Sequence, residues 1–316
     1  KVMKRLLLFI GIVSIIVLTT DILLGFCCRY YINHHRLMGE FGEIDYIVNR
    51  SNDSIIILGS SVALNGLNPN IIEDSIGISC YNGGANGQII PYYESLLECI
   101  VKRKQKPSII ILGLRTNDLT GNGNGGRFNV FLPYCHTGME TIDRRLESKN
   151  WKEKYLLYSN IYRYNPIWWR LFLYVFFQPE EKGKKGFTGK PLPMVFPELK
   201  NDVSSTITKE RVNSFLNMVK LCKDNNIKLI VVFPPMYFHY DEKTETIAYV
   251  EQYCMKNGIP CFNDSQDSLF LSDNHLFYDN VHVNIEGCTK YTQIICQRLK
   301  KIDCLRGNLS LRQYGK

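Results

Sequence analysis

The tetrad Asp279-Asn280-Val281-His282 puts a carboxyl and an imidazole three residues apart, just before an apparent helix start at Asn284-Ile285-Glu286-Gly287. Far upstream, Ile57-Leu58-Gly59-Ser60-Ser61 places hydroxyls at the end of an apolar, β-branched run, where a strand should stop and a turn begin. A hydroxyl at such a junction, an imidazole to take its proton and a carboxylate to orient the ring make a serine-hydrolase set. Each half is common alone, since serines and aspartates beside helices often serve as caps. Their order along the chain joins them into one candidate site.

For these groups to meet, the intervening chain must keep returning to one edge of a single scaffold. Ser54 to Leu58 is a short apolar run bounded by turn residues, the pattern of a buried strand. Asn68-Pro69-Asn70 opens a helix ending near Ser75, and Ile78 to Asn82 is a second strand that stops at Gly83-Gly84. Gln88 to Lys104 is amphipathic, and Pro107 precedes a third strand over Ser108 to Leu112. After an interruption, a helix over Ile207 to Asn225 leads to a strand over Lys228 to Phe233 and an exit at Pro234-Pro235. A helix over Glu242 to Asn257, a strand over Ile259 to Phe262 and a closing helix over Ile285 to Lys300 follow. Strands alternating with helices predict a parallel sheet covered on both faces. Right-handed crossovers put every strand's C-terminal end on the same edge.

Four loops gather on that edge. The first carries Ser60 and Ser61, and the second is Asn82-Gly83-Gly84-Ala85-Asn86-Gly87, where glycines permit tight backbone and exposed amides. The third is Arg115-Thr116-Asn117-Asp118, whose arginine could face an anionic or sugar-carboxylate group, and the last brings Asp279 and His282. A nucleophile, a base with its orienting acid and donors for a developing oxyanion thus come from different strand ends.

The rest of the composition narrows the class. The 316-residue chain is 45% hydrophobic and 12% aromatic, enough for a core. Its net charge of +8 is scattered, without the aromatic-interleaved basic stripe of a nucleic-acid reader, so no nucleic acid is expected. None of the eleven cysteines belongs to a C-x-x-C pair or a zinc-spaced cluster, so neither metal nor cofactor is implied. Lys1, Lys4 and Arg5 precede Leu6 to Cys28, an apolar run with Asp21 its sole charge, long enough as a helix (roughly 33 Å) to cross a bilayer. Bulky Phe26 beside Cys27 and Cys28 disfavours signal or lipoprotein cleavage, so an uncleaved anchor is expected, N-terminus in the cytoplasm and the remainder outside.

The four loops resemble the four blocks of the SGNH (GDSL-like) hydrolase superfamily, which contribute Ser, Gly, Asn and His in that order. Gly59-Ser60-Ser61 looks like the first block, Gly84 in Tyr81-Asn82-Gly83-Gly84 the second, Asn117-Asp118 the third and Asp279-x-x-His282 the last. The resemblance covers about residues 54–118 and 226–300. With its apolar start and the phrase Asp279-Asn280-Val281-His282-Val283-Asn284-x-Glu286-Gly287, the chain looks like the membrane-anchored DltD-like and alginate-acetylation-type branch. The resemblance implies Ser61 as nucleophile, His282 as general base and then acid, and Asp279 as its orienting carboxylate. It further implies an oxyanion hole from the N–H groups of Ser61 and Gly84 and the amide of Asn117. Ser60 stands where the Gly-Asp-Ser form has aspartate, and Arg115 where the third block usually has glycine.

The expected organisation is a transmembrane signal anchor over 1–29, a juxtamembrane connector over 30–52, an α/β domain over 53–303 with an insert at 119–206, and a tail over 304–316. The fold expected is a flavodoxin-like three-layer α/β sandwich around a parallel sheet, with one transmembrane helix and a helical insert. The insert's aromatics, Trp168, Trp169, Phe172, Tyr174, Phe176 and Phe177, could pack on the domain or lie against membrane or substrate. The function implied is a serine esterase or O-acyltransferase on cell-envelope or exported polysaccharide, with an acylated glycan or acyl donor as substrate and a membrane-bound O-acyltransferase as partner. The rival is a catalytically silent envelope scaffold that binds glycan or that partner.

Overall fold

The computed structural model describes residues 1–35, 37, 39–121, 127–177, 185–195, 200–201, 206–240 and 242–302. The expected tail 304–316 and the Gly/Asn-rich run from Asn122 to Gly126 lie outside them. The chain divides into two compact units, one of residues 1–46 with 126–180, the other of 47–125 with 181–316.

The second unit is built on two apolar runs of identical sequence, Ile-Ile-Ile-Leu-Gly. Ile55–Gly59 (β1) and Ile109–Gly113 (β3) are buried at every position, so neither alternates, as strands covered on both faces do not. They pair in parallel from Ile55↔Ile109 to Gly59↔Gly113. Cys80–Asn82 (β2) flanks β1, while Lys228–Phe233 (β4) and Cys261–Asn263 (β5) extend the sheet beyond β3, all in parallel. The strand order is therefore 2-1-3-4-5, the flavodoxin-like winding, whose direction reverses between β1 and β3. A separate two-residue pairing joins Lys200–Asn201 to Phe238–His239.

Helices cover both faces. Ser61–Gly66 (α3) and Pro69–Ile76 (α4) pack with the long terminal helix Ile285–Leu299, while Ile90–Val101 (α5) packs with Lys209–Asp224. Local chemistry sets the ends: Asn68 caps α4 through the N–H of Asn70, Pro69 takes the first turn, and Gly77 closes it at φ 74°. Cys80, Cys288 and Cys296 lie in the core beside Ile72, Ile230 and Tyr291 as small hydrophobes. The ten described cysteines are all free thiols.

Among the described residues, the first unit contains Val2–His34 (α1), Gly39–Asp45 (α2) and, from the insert, a 3-10 helix over Phe128–Tyr134 and the α-helices Glu140–Glu147 (α6), Glu153–Leu156 (α7), Asn160–Tyr164 (α8) and Trp168–Phe176 (α9). Its own small core joins Cys28, Ile32 and Leu37 to Tyr164, Ile167 and Leu171. Of the aromatics the sequence left between two readings, Trp168, Trp169, Phe172, Phe176 and Phe177 are exposed rather than packed, and the Tyr174 side chain lies outside what the structure describes.

A partly buried ion pair ties the terminal helix to the sheet. Arg298 donates through both terminal nitrogens to Asp264, at 2.5 and 2.7 Å, and Asp264 is 3% exposed. Arg298→Met would leave that carboxylate buried without its cation, and is expected to lower unfolding free energy by about 3 kcal/mol in urea titration of the detergent-solubilised chain.

Candidate active site

The two distant stretches converge. Ser61 and His282, 221 residues apart, meet with His282 Nε2 2.7 Å from Ser61 Oγ. Asp279 receives the other ring nitrogen, Nδ1, at 2.9 Å to each carboxylate oxygen. An ionised carboxylate only accepts, so Nδ1 carries the proton and Nε2 is left as acceptor for the Ser61 hydroxyl. This is the tautomer a general base needs. His282 is 18% exposed and Asp279 44%, so the imidazole is shielded while the group remains open to solvent on one side.

Asp279 is tuned by opposing effects. Burial works to raise its pKa, but the His282 ring and the backbone N–H groups of Val281 and His282 outweigh it and hold the carboxyl below its ordinary range. Those N–H groups donate to Oδ1 at 2.8 and 2.9 Å, folding the tetrad into a tight turn. An isolated Phe277↔Val283 bridge and a Tyr278 N–H bond to the His282 carbonyl at 2.8 Å close the turn. Asn280 ties its tip to the loop after β4, exchanging hydrogen bonds with the Tyr237 backbone at 2.8 and 3.0 Å. Asn284 then caps the terminal helix through the Gly287 N–H.

Ser61 is held by a glycine pair. Gly59 takes φ 148°, and a Cβ there would stand 2.3 Å from the Gly113 carbonyl oxygen and 2.6 Å from Ala63 Cβ. A Cβ on Gly113, its register partner, would meet the same Ala63 at 2.8 Å. Two missing side chains let the first turn of α3 rest on the strand ends, at the point where the strand order reverses. Ligands bind in such a crevice in wound α/β sheets. Ser60 is fully buried and its carbonyl accepts from the N–H groups of Ala63 and Leu64, so the neighbouring serine is structural and Ser61 meets the histidine.

The remaining candidates fall on the same edge with mixed availability. As a first-turn residue of α3, Ser61 has an N–H without an intrahelical acceptor. Gly84 N–H instead donates to Asn82 Oδ1 at 2.9 Å, and a Cβ on Gly84 would stand 2.7 Å from the Leu64 nitrogen, so glycine is needed for this close approach to α3. Asn117 is exposed in the loop after β3, its carbonyl accepting from Thr120. Arg115 donates through Nε and its own backbone N–H to Asp118, with its terminal nitrogen 2.8 Å from the same carboxylate. Asp118's charge, partly offset by burial, raises the Arg115 pKa further. Arginine in place of glycine therefore staples this loop shut instead of loosening it.

Sequence reasoning missed Asn82. It reads as a strand end, yet its buried amide donates to the carbonyls of Ala63 and Leu67 at 2.9 and 2.7 Å while accepting from Gly84. It binds the second loop to the helix that presents Ser61. His136, given no partner in the sequence, sits in the first unit with Cys135 and Asp143, their candidate ligand atoms within 4.8 Å of one another. In this trio Asp143 accepts from the backbone N–H of His136 at 2.8 Å. A polar depression of about 420 Å³ lies near the ends of β4 and β5, lined by Tyr240, Lys243, Asn263, Gln266 and Asp267.

No protein-family model and no curated protein matches the chain. Among solved structures, it overlays on a lipolytic protein of the G-D-S-L family from Desulfitobacterium hafniense DCB-2, 10% identical over 78% of this chain and 99% of that one, TM-score 0.39. A GDSL-like lipase from Bacteroides thetaiotaomicron VPI-5482 overlays at 13% identity over 83% and 99%, TM-score 0.41. An acylhydrolase from Bacteroides fragilis NCTC 9343 does so at 14% over 78% and 86%, TM-score 0.38.

Two outcomes follow from this geometry. Asn82→Ala removes two donated bonds and orphans the Gly84 N–H, so unfolding free energy is expected to fall by about 2–4 kcal/mol in urea titration. Asp279 titrates lower folded than unfolded, so the stability it lends is full above the unfolded value of about 3.9 and lost as pH falls through the folded one. The stability gap between wild type and Asp279→Asn, followed by urea unfolding, is expected to be present at about pH 5 and to close as pH falls through the folded value.

Proposed function

We propose that the protein is a membrane-anchored serine esterase or O-acyltransferase working through an acyl-Ser61 intermediate on a cell-envelope or exported polysaccharide. The observation that carries the chemistry is the continuous line from Asp279 through His282 to Ser61. In the first half-reaction His282 Nε2 takes the Ser61 proton as Oγ attacks the acyl carbonyl, and the resulting imidazolium is stabilised by Asp279. The oxyanion is assigned to the N–H of Ser61 and the side-chain amide of Asn117, with Gly84 joining if its N–H is shared between Asn82 and the substrate oxygen. Each donor of this kind is worth about 3 kcal/mol of barrier. The protonated ring then gives its proton to the departing alkoxide, leaving the ester on Ser61. Water or a sugar hydroxyl, deprotonated by the same nitrogen, attacks that ester and regenerates the serine.

The guanidinium edge of Arg115 that Asp118 leaves uncovered is assigned to an anionic or carboxylate-bearing part of the substrate. The long apolar helix α1 supports an anchor in the membrane, with the α/β unit outside the cytoplasm and a membrane-bound O-acyltransferase of the DltD-like and alginate-acetylation type of system as partner. The engaged Gly84 N–H favours a second reading, an envelope scaffold that keeps the fold and binds glycan without turnover.

A serine-directed fluorophosphonate probe separates the two. Labelling of wild type and its loss in Ser61→Ala is the enzyme's signature, whereas a folded wild type that stays unlabelled is the scaffold's. On p-nitrophenyl acetate, His282→Ala is expected to lower turnover by a factor on the order of 10⁴. Equal rates for the two proteins would overturn the catalytic reading.

A further inference from the structure

Asp21 is the one charge in the apolar run from Leu6 to Cys28. If a span starts at Leu6, a hydrocarbon layer of about 30 Å takes roughly 20 residues and ends near Gly25. Asp21 then lies about 6 Å inside the exit boundary, where a lone carboxylate is costly. It is not alone: it accepts from Ser159 Oγ at 2.6 Å, Asn160 Nδ2 at 2.9 Å, and the backbone N–H groups of Asn160 and Ile161 at 3.0 and 2.8 Å. One turn on, a Cβ at Gly25 would stand 2.3 Å from Asn160 Cγ, so the glycine makes room for α8. Cys28 and Ile32 then bury against Tyr164, Ile167 and Leu171. Asp21, Gly25, Cys28 and Ile32 follow a four-three-four spacing, the seam of packed helices. The start of α8 is thereby pinned to α1 at the depth of its one carboxylate.

The opposite side of α9 is unpartnered within this unit and strongly aromatic. Trp168, Trp169, Phe172 and Phe176 are 42–65% exposed, with Trp169 on Phe172 and Phe172 on Phe176 at ring distances of 5.5 and 5.2 Å. Among the described residues, Tyr278 is the single exposed aromatic outside α1 and the 127–177 segment. Lys152 lies over Trp151 and Lys154 over Tyr155, adding cations suited to anionic headgroups. Rings bordered by lysines and held beside a span's exit are what the headgroup–acyl boundary favours.

We infer that residues 151–177 form a lipid-facing collar around the exit of α1, with α9 lying in the bilayer interface and Asp21 as the pin. The collar rests on the reading of α1 as a retained span. It makes the bilayer, and not a second protein, the occupant of the α9 face.

All three tryptophans, Trp151, Trp168 and Trp169, belong to this segment, so tryptophan emission, excited beyond the tyrosine absorption band, reports it alone. The full chain is reconstituted into phosphatidylcholine–phosphatidylglycerol vesicles and floated through alkaline carbonate, which tests the span by itself. In vesicles brominated near the headgroup end of the acyl chains, tryptophan emission is expected to fall about two-fold, as for rings seated at the interface. Asp21→Leu should still float but lose most of that quenching, with far-ultraviolet circular dichroism confirming its helices. Flotation with unquenched tryptophans overturns the collar, assigns the α9 face to a protein partner and leaves the span standing. Failure to float overturns both. Full quenching in Asp21→Leu overturns the pin.

Discussion

The proposed chemistry depends on one hydrogen bond, from the Ser61 hydroxyl to His282 Nε2 at 2.7 Å. Its two partners are almost the whole α/β unit apart in sequence, so local propensity cannot make it. It exists because β1 is an interior strand, beside β3 at the point where the order reverses, while the terminal helix packs against α3 and α4 on one face. That packing carries the turn just before the helix onto the strand ends. The ion pair between Arg298 and Asp264 fixes the far end of the same helix, so a contact remote from the chemistry helps to set the register of His282.

The approach is made possible by side chains that are absent. Gly59 and Gly113 stand opposite each other in β1 and β3, and Ala63 occupies the space their Cβ atoms would fill. Gly287 does the same for the last loop, since a Cβ there would stand 2.2 Å from the Leu276 carbonyl oxygen. Close packing leaves such positions no slack. A loop edge built this tightly holds its polar groups in one arrangement before any substrate arrives, the preorganisation on which electrostatic catalysis relies.

Much of this was legible in the chain. The runs Ile55-Ile56-Ile57-Leu58 and Ile109-Ile110-Ile111-Leu112 lack alternation because both faces are buried, and that pattern announces a parallel sheet directly. Placing the strand ends on one edge then brought Ser61 and the Asp279/His282 turn together without any structure. What stayed hidden were partnerships made across the fold. Asn82 looks like a turn residue until α3 settles over it and turns its amide into a clamp. Arg115 reads as a free cation, but its carboxylate lies three residues on and folds back on it. Asp21 reads as a blemish in an apolar helix, because the hydroxyl and N–H groups that satisfy it come from Ser159, Asn160 and Ile161. In each case residue type was informative and the partner was set by tertiary packing.

The central claim is that Ser61, activated by His282, carries the acyl group. Peptide-resolved mass spectrometry of the chain, acid-quenched during turnover of an activated acetyl ester, tests it most directly. The account predicts one acetyl group, on Ser61, in the wild type and none in His282→Ala. Acetyl on Ser60 or another residue, or equal occupancy of Ser61 in the two proteins, would contradict it.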